Sequence, residues 1–170
     1  MALCSRPWAV SERRLNAVPE APYVCSMRPR KDTAPERLSA PESLIFAMVT
    51  VSAVDREISG DEIARISSIV RELPPFLKYD GDWLAGAAQE CGKLLNKPHG
   101  VEKVLEVIKT SLPAHLYETA YVLAAEVAAS DLEHHDEEER FLAMLAAKLG
   151  LDKLTCAALE RAAKARHQRV

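Results

Sequence analysis

The stretch Ala53-Val54-Asp55-Arg56-Glu57-Ile58-Ser59-Gly60-Asp61-Glu62 is written a second time, with variations, as Ala129-Ser130-Asp131-Leu132-Glu133-His134-His135-Asp136-Glu137-Glu138. Paired positions lie 76 residues apart, and Asp, Glu and a later Glu recur in phase. An apolar segment runs into each stretch and an amphipathic one runs out of it, so the pattern predicts a duplicated helix–acidic turn–helix unit. The rest of the chain can be read outward from these two turns.

Before the first turn, Pro41 to Val54 predicts a helix, with Pro41 in the first helical positions where its missing N–H costs nothing. Leu44, Ile45, Met48, Val51 and Ser52 form its buried stripe at helical spacing. After the turn, Ser59 and Glu62 have the spacing of a capping box, and Ile63, Ile66, Ile69, Val70 and Leu73 carry a second helix to Pro74-Pro75. A third helix is expected from Gly81 to Asn96, facing inward with Leu84, Ala87, Ala88, Cys91, Leu94 and Leu95. Lys97-Pro98-His99-Gly100 breaks the pattern, and a fourth helix follows from Val101 to Ser111 with Val104, Leu105 and Ile108 inward.

The second half repeats this layout. Pro113 opens a fifth helix, alanine-rich from Leu116 to Ala129 and expected to be the most buried element. After the second turn, Phe141, Leu142, Leu145 and Leu149 define a helix from Asp136 to Leu149, closed by Gly150 as a left-handed cap. Asp152 then caps a seventh helix, predicted to face inward with Leu154, Ala158, Leu159 and Ala162. No segment alternates at period two long enough to make a strand. The predicted fold is all-α: a single-domain bundle of about seven helices with an internal duplication.

Composition agrees with this reading. The 170 residues are 48% hydrophobic, 28% charged and only 5% aromatic, and Ala and Leu dominate the second half, which favours helices over sheets. Residues 1–40 hold seven Lys or Arg against four Asp or Glu, leaving 15 against 21 in residues 41–170, a net charge of −6. A body this acidic suits cations better than nucleic acid. Pro7, Pro19, Pro22, Pro29 and Pro35 interrupt the start, so residues 1–38 are expected to be a flexible Pro/Arg-rich leader, with Met27 an alternative start. Residues 39–167 form the helical domain and 168–170 a frayed tail. Cys4, Cys25, Cys91 and Cys156 have no CxxC or Cys/His spacing and read as free thiols of a reducing compartment. No apolar run approaches the ~18 residues that span a bilayer, so a cytoplasmic location without membrane insertion is expected.

The two turns carry the chemistry. Asp61, Glu62, Asp136, Glu137 and Glu138 fall in the first turns of helices, where amide ends and macrodipole already favour anions by a few tenths to ~1 kcal/mol. Asp55 and Asp131 fall at helix C-terminal ends, where the dipole disfavours them, although Asp also forms turns through its own backbone. A carboxylate before and after each turn supplies hard oxygen ligands suited to Ca²⁺ or Mg²⁺. His134 and His135 add nitrogen and shift the preference toward Zn²⁺, Mn²⁺ or Fe²⁺. The predicted metal ligands are Asp55, Glu57, Glu62, Asp131, Glu133, His134, His135 and Glu138, for a divalent cofactor drawn from Ca, Mg, Mn or Zn. An EF-hand is excluded, because its twelfth position holds Ile66 in one copy and Leu142 in the other. A di-iron bundle is excluded too, since Glu118 to Tyr121 lacks the Glu-x-x-His pair. No phosphate loop, nucleophile elbow or Ser/His/Asp order is present, so no enzyme is predicted. His115 reads as a capping or surface histidine, and Cys91 as a small buried hydrophobe.

Together these marks resemble the TerB-like family of tellurite-resistance proteins and the related N-terminal domain of DjlA-type co-chaperones. The resemblance covers residues 36–167 and rests on Asp55 to Glu62, Asp131 to Glu138, Gly150-Leu151 and the count of seven helices. The family usually has Gly after each Asp and an aliphatic residue two positions on. Here Arg56 and Leu132 replace both glycines, Ile58 keeps the aliphatic, and His134 replaces it. The resemblance implies a non-enzymatic role in tellurite, oxyanion or general stress resistance, with stress-resistance or membrane-associated proteins as partners. The alternative it implies is a co-chaperone-type interaction module with no metal requirement.

Overall fold

The computed structural model describes residues 37–54, 60–78, 81–130 and 136–168, with the side chains of residues 60–62 outside that description. Among the described residues there are seven α-helices and no strand: α1 Ala40–Ala53, α2 Gly60–Glu72, α3 Gly81–Leu95, α4 Gly100–Ser111, α5 Tyr117–Ala128, α6 Asp136–Leu149 and α7 Lys153–Arg166. Short 3₁₀ turns at Pro74–Phe76 and Ala114–Leu116 precede α3 and α5. The predicted leader up to residue 36, and the Ser59–Glu62 capping box, lie outside the described residues.

α1 begins with a cap that pattern reading passed over. The Ser39 hydroxyl accepts from the Glu42 amide at 3.4 Å, and the Glu42 carboxylate accepts from the Ser39 amide at 2.8 Å. This reciprocal box satisfies two of the amides that every helix start leaves open. One residue earlier, the buried Leu38 donates its N–H to Ser111 Oγ at 3.0 Å, fixing the entry to α1 against the end of α4.

Ten consecutive residues of α1, Ser43 to Ser52, are buried. A helix covered on every side is a core helix, and α1 packs against α5, α3 and α4, with α2 and α6 touching it less extensively. Two of its buried polar side chains are absorbed locally: Ser43 donates to the Ser39 carbonyl at 3.0 Å and Thr50 to the Phe46 carbonyl at 2.6 Å. The expected stripe of α1 is therefore buried together with everything between it. This corrects the expectation that the alanine-rich α5 is the most buried element; α5 is buried from Ala120 to Val127 with Val122 half-exposed. Small side chains let α5 approach α1 closely, but the bulk sits on α1, where Phe46, Leu44, Ile45, Met48, Val49 and Val51 are fully enclosed. Each such side chain contributes roughly 1.5–3 kcal/mol on burial.

α2, α3, α4 and α6 bury the faces their spacing predicts: Ile66 and Val70; Leu84, Ala87, Ala88, Cys91 and Leu94; Val104, Leu105 and Ile108; Phe141, Leu142, Leu145 and Leu149. α4 and α6 are also tied by polar contacts. Lys109 donates to the Leu149 carbonyl at 3.2 Å and lies 4.2 Å from the Tyr117 ring centre, and Lys148 pairs with Glu106. A cation at the last carbonyls of α6 answers the negative end of its dipole.

Gly150, at φ 78°, closes α6 as expected, with the Gly150 and Leu151 amides both donating to Ala146. Asp152 caps α7 by accepting from the Leu154 and Thr155 amides at 2.9 and 3.0 Å. The inward face predicted for α7 needs correction. Leu159 is half-buried and packs on the core as predicted, but Leu154 is 81% exposed, Ala158 and Ala162 are exposed as well, and the buried residues are Cys156 and Ala163. Two polar ties set this rotation. Tyr121 donates to Glu160, and Arg166 Nη1 pairs with Glu126 Oε1 at 2.6 Å. Because Tyr121 precedes Glu126 and Glu160 precedes Arg166, α7 runs along α5 in the same direction.

Candidate functional site

Both predicted turns sit between a helix of the α1 or α5 type and its amphipathic successor. α2 starts at Gly60 and α6 at Asp136, the same 76-residue offset that relates the two sequence copies. Of the eight predicted ligands, Asp55, Glu57, Asp131, Glu133, His134 and His135 lie outside the described residues. Glu62 belongs to α2, with its side chain outside the description. Glu138, in the first turn of α6, is described, and it is buried. Its neighbours Asp136, Glu137 and Glu139 face solvent. Burying one carboxylate of four at a helix start is tolerable because the unbonded amides there favour negative charge. Among the described residues, no three His, Cys, Asp or Glu side chains come together as a metal-holding group.

What the structure does join is the surroundings of the two turns. Arg65, on the second turn of α2, donates from Nη1 to Ser130 Oγ at 2.5 Å. Ser130 immediately precedes Asp131, and its own hydroxyl donates to the Val127 carbonyl at 2.5 Å. The helix that follows the first acidic stretch is thus bonded to the residue that opens the second. On the other side, Ser52 lies three residues before Asp55 and is only 3% exposed. Among the described residues its Oγ is the buried side-chain polar atom without a hydrogen-bond partner.

Two further polar pairs escaped the sequence pattern. Glu126, buried in α5 among Ala124, Ala125 and Val127, is the carboxylate bound by Arg166. A lone acid inside an alanine-rich helix was the available signal, since buried Glu occurs almost only with a partner. The Tyr121–Glu160 contact is the other. Burial, then the hydrogen bond to Glu160, hold the Tyr121 phenol far above its ordinary range, so it stays a donor.

Outside the turns, Cys91 is wholly buried as expected, within 3.4 Å of Thr50 Oγ1. Desolvation pushes its thiol up to about 12, against the lowering effect of the Thr50 hydrogen bond. A thiol held protonated is no nucleophile. His115 is exposed in the 3₁₀ turn before α5, as a surface histidine should be. Among the described residues, no helix is long and apolar enough to cross a membrane.

The chain matches no curated protein and no solved structure. Residues 42–162, from the first turn of α1 to the third turn of α7, match the family model described as Tellurite resistance protein TerB. The chain belongs to the TerB tellurite-resistance family.

Proposed function

We propose that this chain is a non-catalytic TerB-family protein whose two acidic turns together bind a divalent metal ion, in the service of resistance to tellurite or related stress. The observation that carries this reading is the Arg65–Ser130 bond, which brings the helix leaving the first turn against the threshold of the second. Asp55, Glu57, Glu62, Asp131, Glu133 and Glu138 would supply oxygen, and His134 and His135 nitrogen, a mixed set suited to Mn²⁺ or Zn²⁺ as well as Ca²⁺ or Mg²⁺. The buried Glu138 is consistent with a carboxylate facing inward at this end of α6. The common 76-residue offset of α2 and α6 supports reading the two halves as copies of one unit. The absence of a nucleophile motif, and a Cys91 thiol kept neutral, support a binding role over a catalytic one.

Titrating Ca²⁺, Mg²⁺, Mn²⁺ and Zn²⁺ into the full chain, followed by thermal unfolding and calorimetry, tests the reading. A ligand at 100 times its Kd stabilises the fold by about 2.7 kcal/mol, a readily measured rise in Tm. Asp55→Asn combined with Asp131→Asn should abolish that rise. Four ions that leave Tm unchanged would defeat the metal site. The exposed Asp136, Glu137 and Glu139 favour a second reading, in which this face docks a basic partner without metal. Capture of that partner would then be lost in the same double variant and unaffected by chelator.

A further inference from the structure

We infer that α7 is a releasable strap, which lifts off α5 as one unit while α1 to α6 stay folded and so gives the domain a closed and an open state. The device is independent of the acidic turns and of any metal they hold. Among the described residues, the large side chains that are fully enclosed come from α1, α2, α4, α5 and α6, from Phe46 and Ile66 to Tyr121 and Phe141. α7 contributes only Ala163 wholly and Cys156 nearly so, with Leu159 half-buried against the core. Its one extensive contact is with α5. Apolar stabilisation scales with the area removed from water, so lifting α7 leaves most of the core intact.

What holds the strap is polar. Tyr121 donates to Glu160 in the middle of α7, and Arg166 pairs with Glu126 in its last turn. Both α5 partners are buried, so each needs its α7 group: a buried polar atom left unpaired costs more than the bond it loses. The two ties sit on one helix and are made or broken with it. Losing either therefore weakens the closed state along the whole of α7, which separates release of a unit from fraying of the last turn. A hinge stands where release needs one. Three residues, Gly150-Leu151-Asp152, join α6 to α7, and Gly150 holds a left-handed backbone at φ 78° that glycine can leave at little steric cost. Opening about that point uncovers the Tyr121 phenol and the Glu126 carboxylate on α5, and the Cys156 thiol on the inner side of α7.

The two buried thiols report the two kinds of opening, Cys156 under the strap and Cys91 in the core. Iodoacetamide is added to the full chain over a series of low urea concentrations. Peptide mass spectrometry then follows each cysteine, with rates normalised to those in the unfolded chain. When reclosure outpaces labelling, each rate measures the population of the state that exposes that thiol. Cys156 should label faster than Cys91 by about a hundredfold or more, and with a much weaker urea dependence, because its opening exposes little surface. Arg166→Met, ten residues beyond Cys156, should raise the Cys156 rate by roughly tenfold or more, since the closed state then buries Glu126 without its cation. Tyr121→Phe should raise it less, and keeps the test decisive if Arg166→Met fails to fold. Equal rates and equal urea slopes at the two thiols would mean that α7 leaves only when the whole domain unfolds, and the strap is refuted. A fast Cys156 that neither variant accelerates refutes it too, because the thiol would then be reached by local fraying.

Discussion

Gly100 starts α4 directly against the end of α3, and alanine there has no room. A Cβ built on Gly100 falls 2.1 Å from the Leu95 carbonyl oxygen, 2.6 Å from its carbonyl carbon and 2.7 Å from its Cα. All three are backbone atoms, so no side-chain rotation relieves the clash. Contacts under 3.0 Å are essentially never tolerated, so the α3–α4 junction must open by nearly an ångström. The preceding residue is already constrained, since His99 takes a left-handed backbone with φ 56°. Forced expansion of this kind costs at the upper end of the overpacking range, about 3 kcal/mol. For a chain of this size each kcal/mol moves Tm by roughly 2–4 °C, so Gly100→Ala should melt about 6–12 °C below the wild type. Gly86 and Gly92, inside α3, provide the control: a Cβ at either meets nothing within 4 Å. There the same substitution should raise stability by up to ~1 kcal/mol through helix propensity alone. Thermal and urea melts followed by far-ultraviolet circular dichroism read both signs. If Gly100→Ala melts with or above the wild type, the described approach of α4 to Leu95 is wrong.

Removing one half of the α5–α7 ion pair should cost more than removing both. Arg166→Met leaves the Glu126 carboxylate buried without its cation, for a loss of about 2 kcal/mol, and adding Glu126→Gln should restore much of it. A urea midpoint unmoved by Arg166→Met would show the pair contributes nothing. The corrected face of α7 predicts that Leu154→Glu changes stability by less than ~0.5 kcal/mol, whereas Ala163→Glu, at a wholly buried position, should destabilise severely. The reverse ranking in denaturant melts would restore the face expected from sequence. For Cys91, the folded thiol lies above its ordinary value of 9.0, so its neutral form contributes stability below pH 9. That contribution is lost as pH rises from 9 toward 12, and Cys91→Ala should remove this part of the alkaline decline in urea titrations. A variant whose alkaline decline is unchanged would refute the burial effect.

α6 was readable to its end residues because three signals coincide there: four acids in the first turn, an unambiguous Phe/Leu stripe and a terminal glycine. α7 offered no such contrast. Its small and polar residues surround the helix, so Leu154 was the only bulky guide near its start, and the Asp152 cap leaves that side chain pointing to water. The true face is chosen by Tyr121 and Glu126, partners 39 and 40 residues upstream in another helix. The same limit applied to the centre of the bundle. Alanine content pointed to α5 as the enclosed helix, and α5 does pack on α1, but which of two contacting helices is enclosed depends on what covers the far side of each. At the site, acid spacing is a local pattern and was visible. The Arg65–Ser130 bond joins residues with no common periodicity, and neither Arg65 nor Ser130 stands out from other exposed-type residues in a helix and before a turn.

The enclosure of α1 has a consequence during synthesis. α1 leaves the ribosome first among the described helices, yet much of what covers it, α5 above all, ends at Ala128, some 75 residues later. At 5–20 residues per second the nascent chain spends roughly 4–15 s with an apolar helix and no lid. During that interval Phe46, Met48 and Val51 are available to any hydrophobic surface nearby, and α3 and α4 can give only provisional cover. Yield in the cell should therefore respond to the speed of translation between α1 and α5, and to the supply of chaperones that hold exposed helices, more than to the stability of the finished fold.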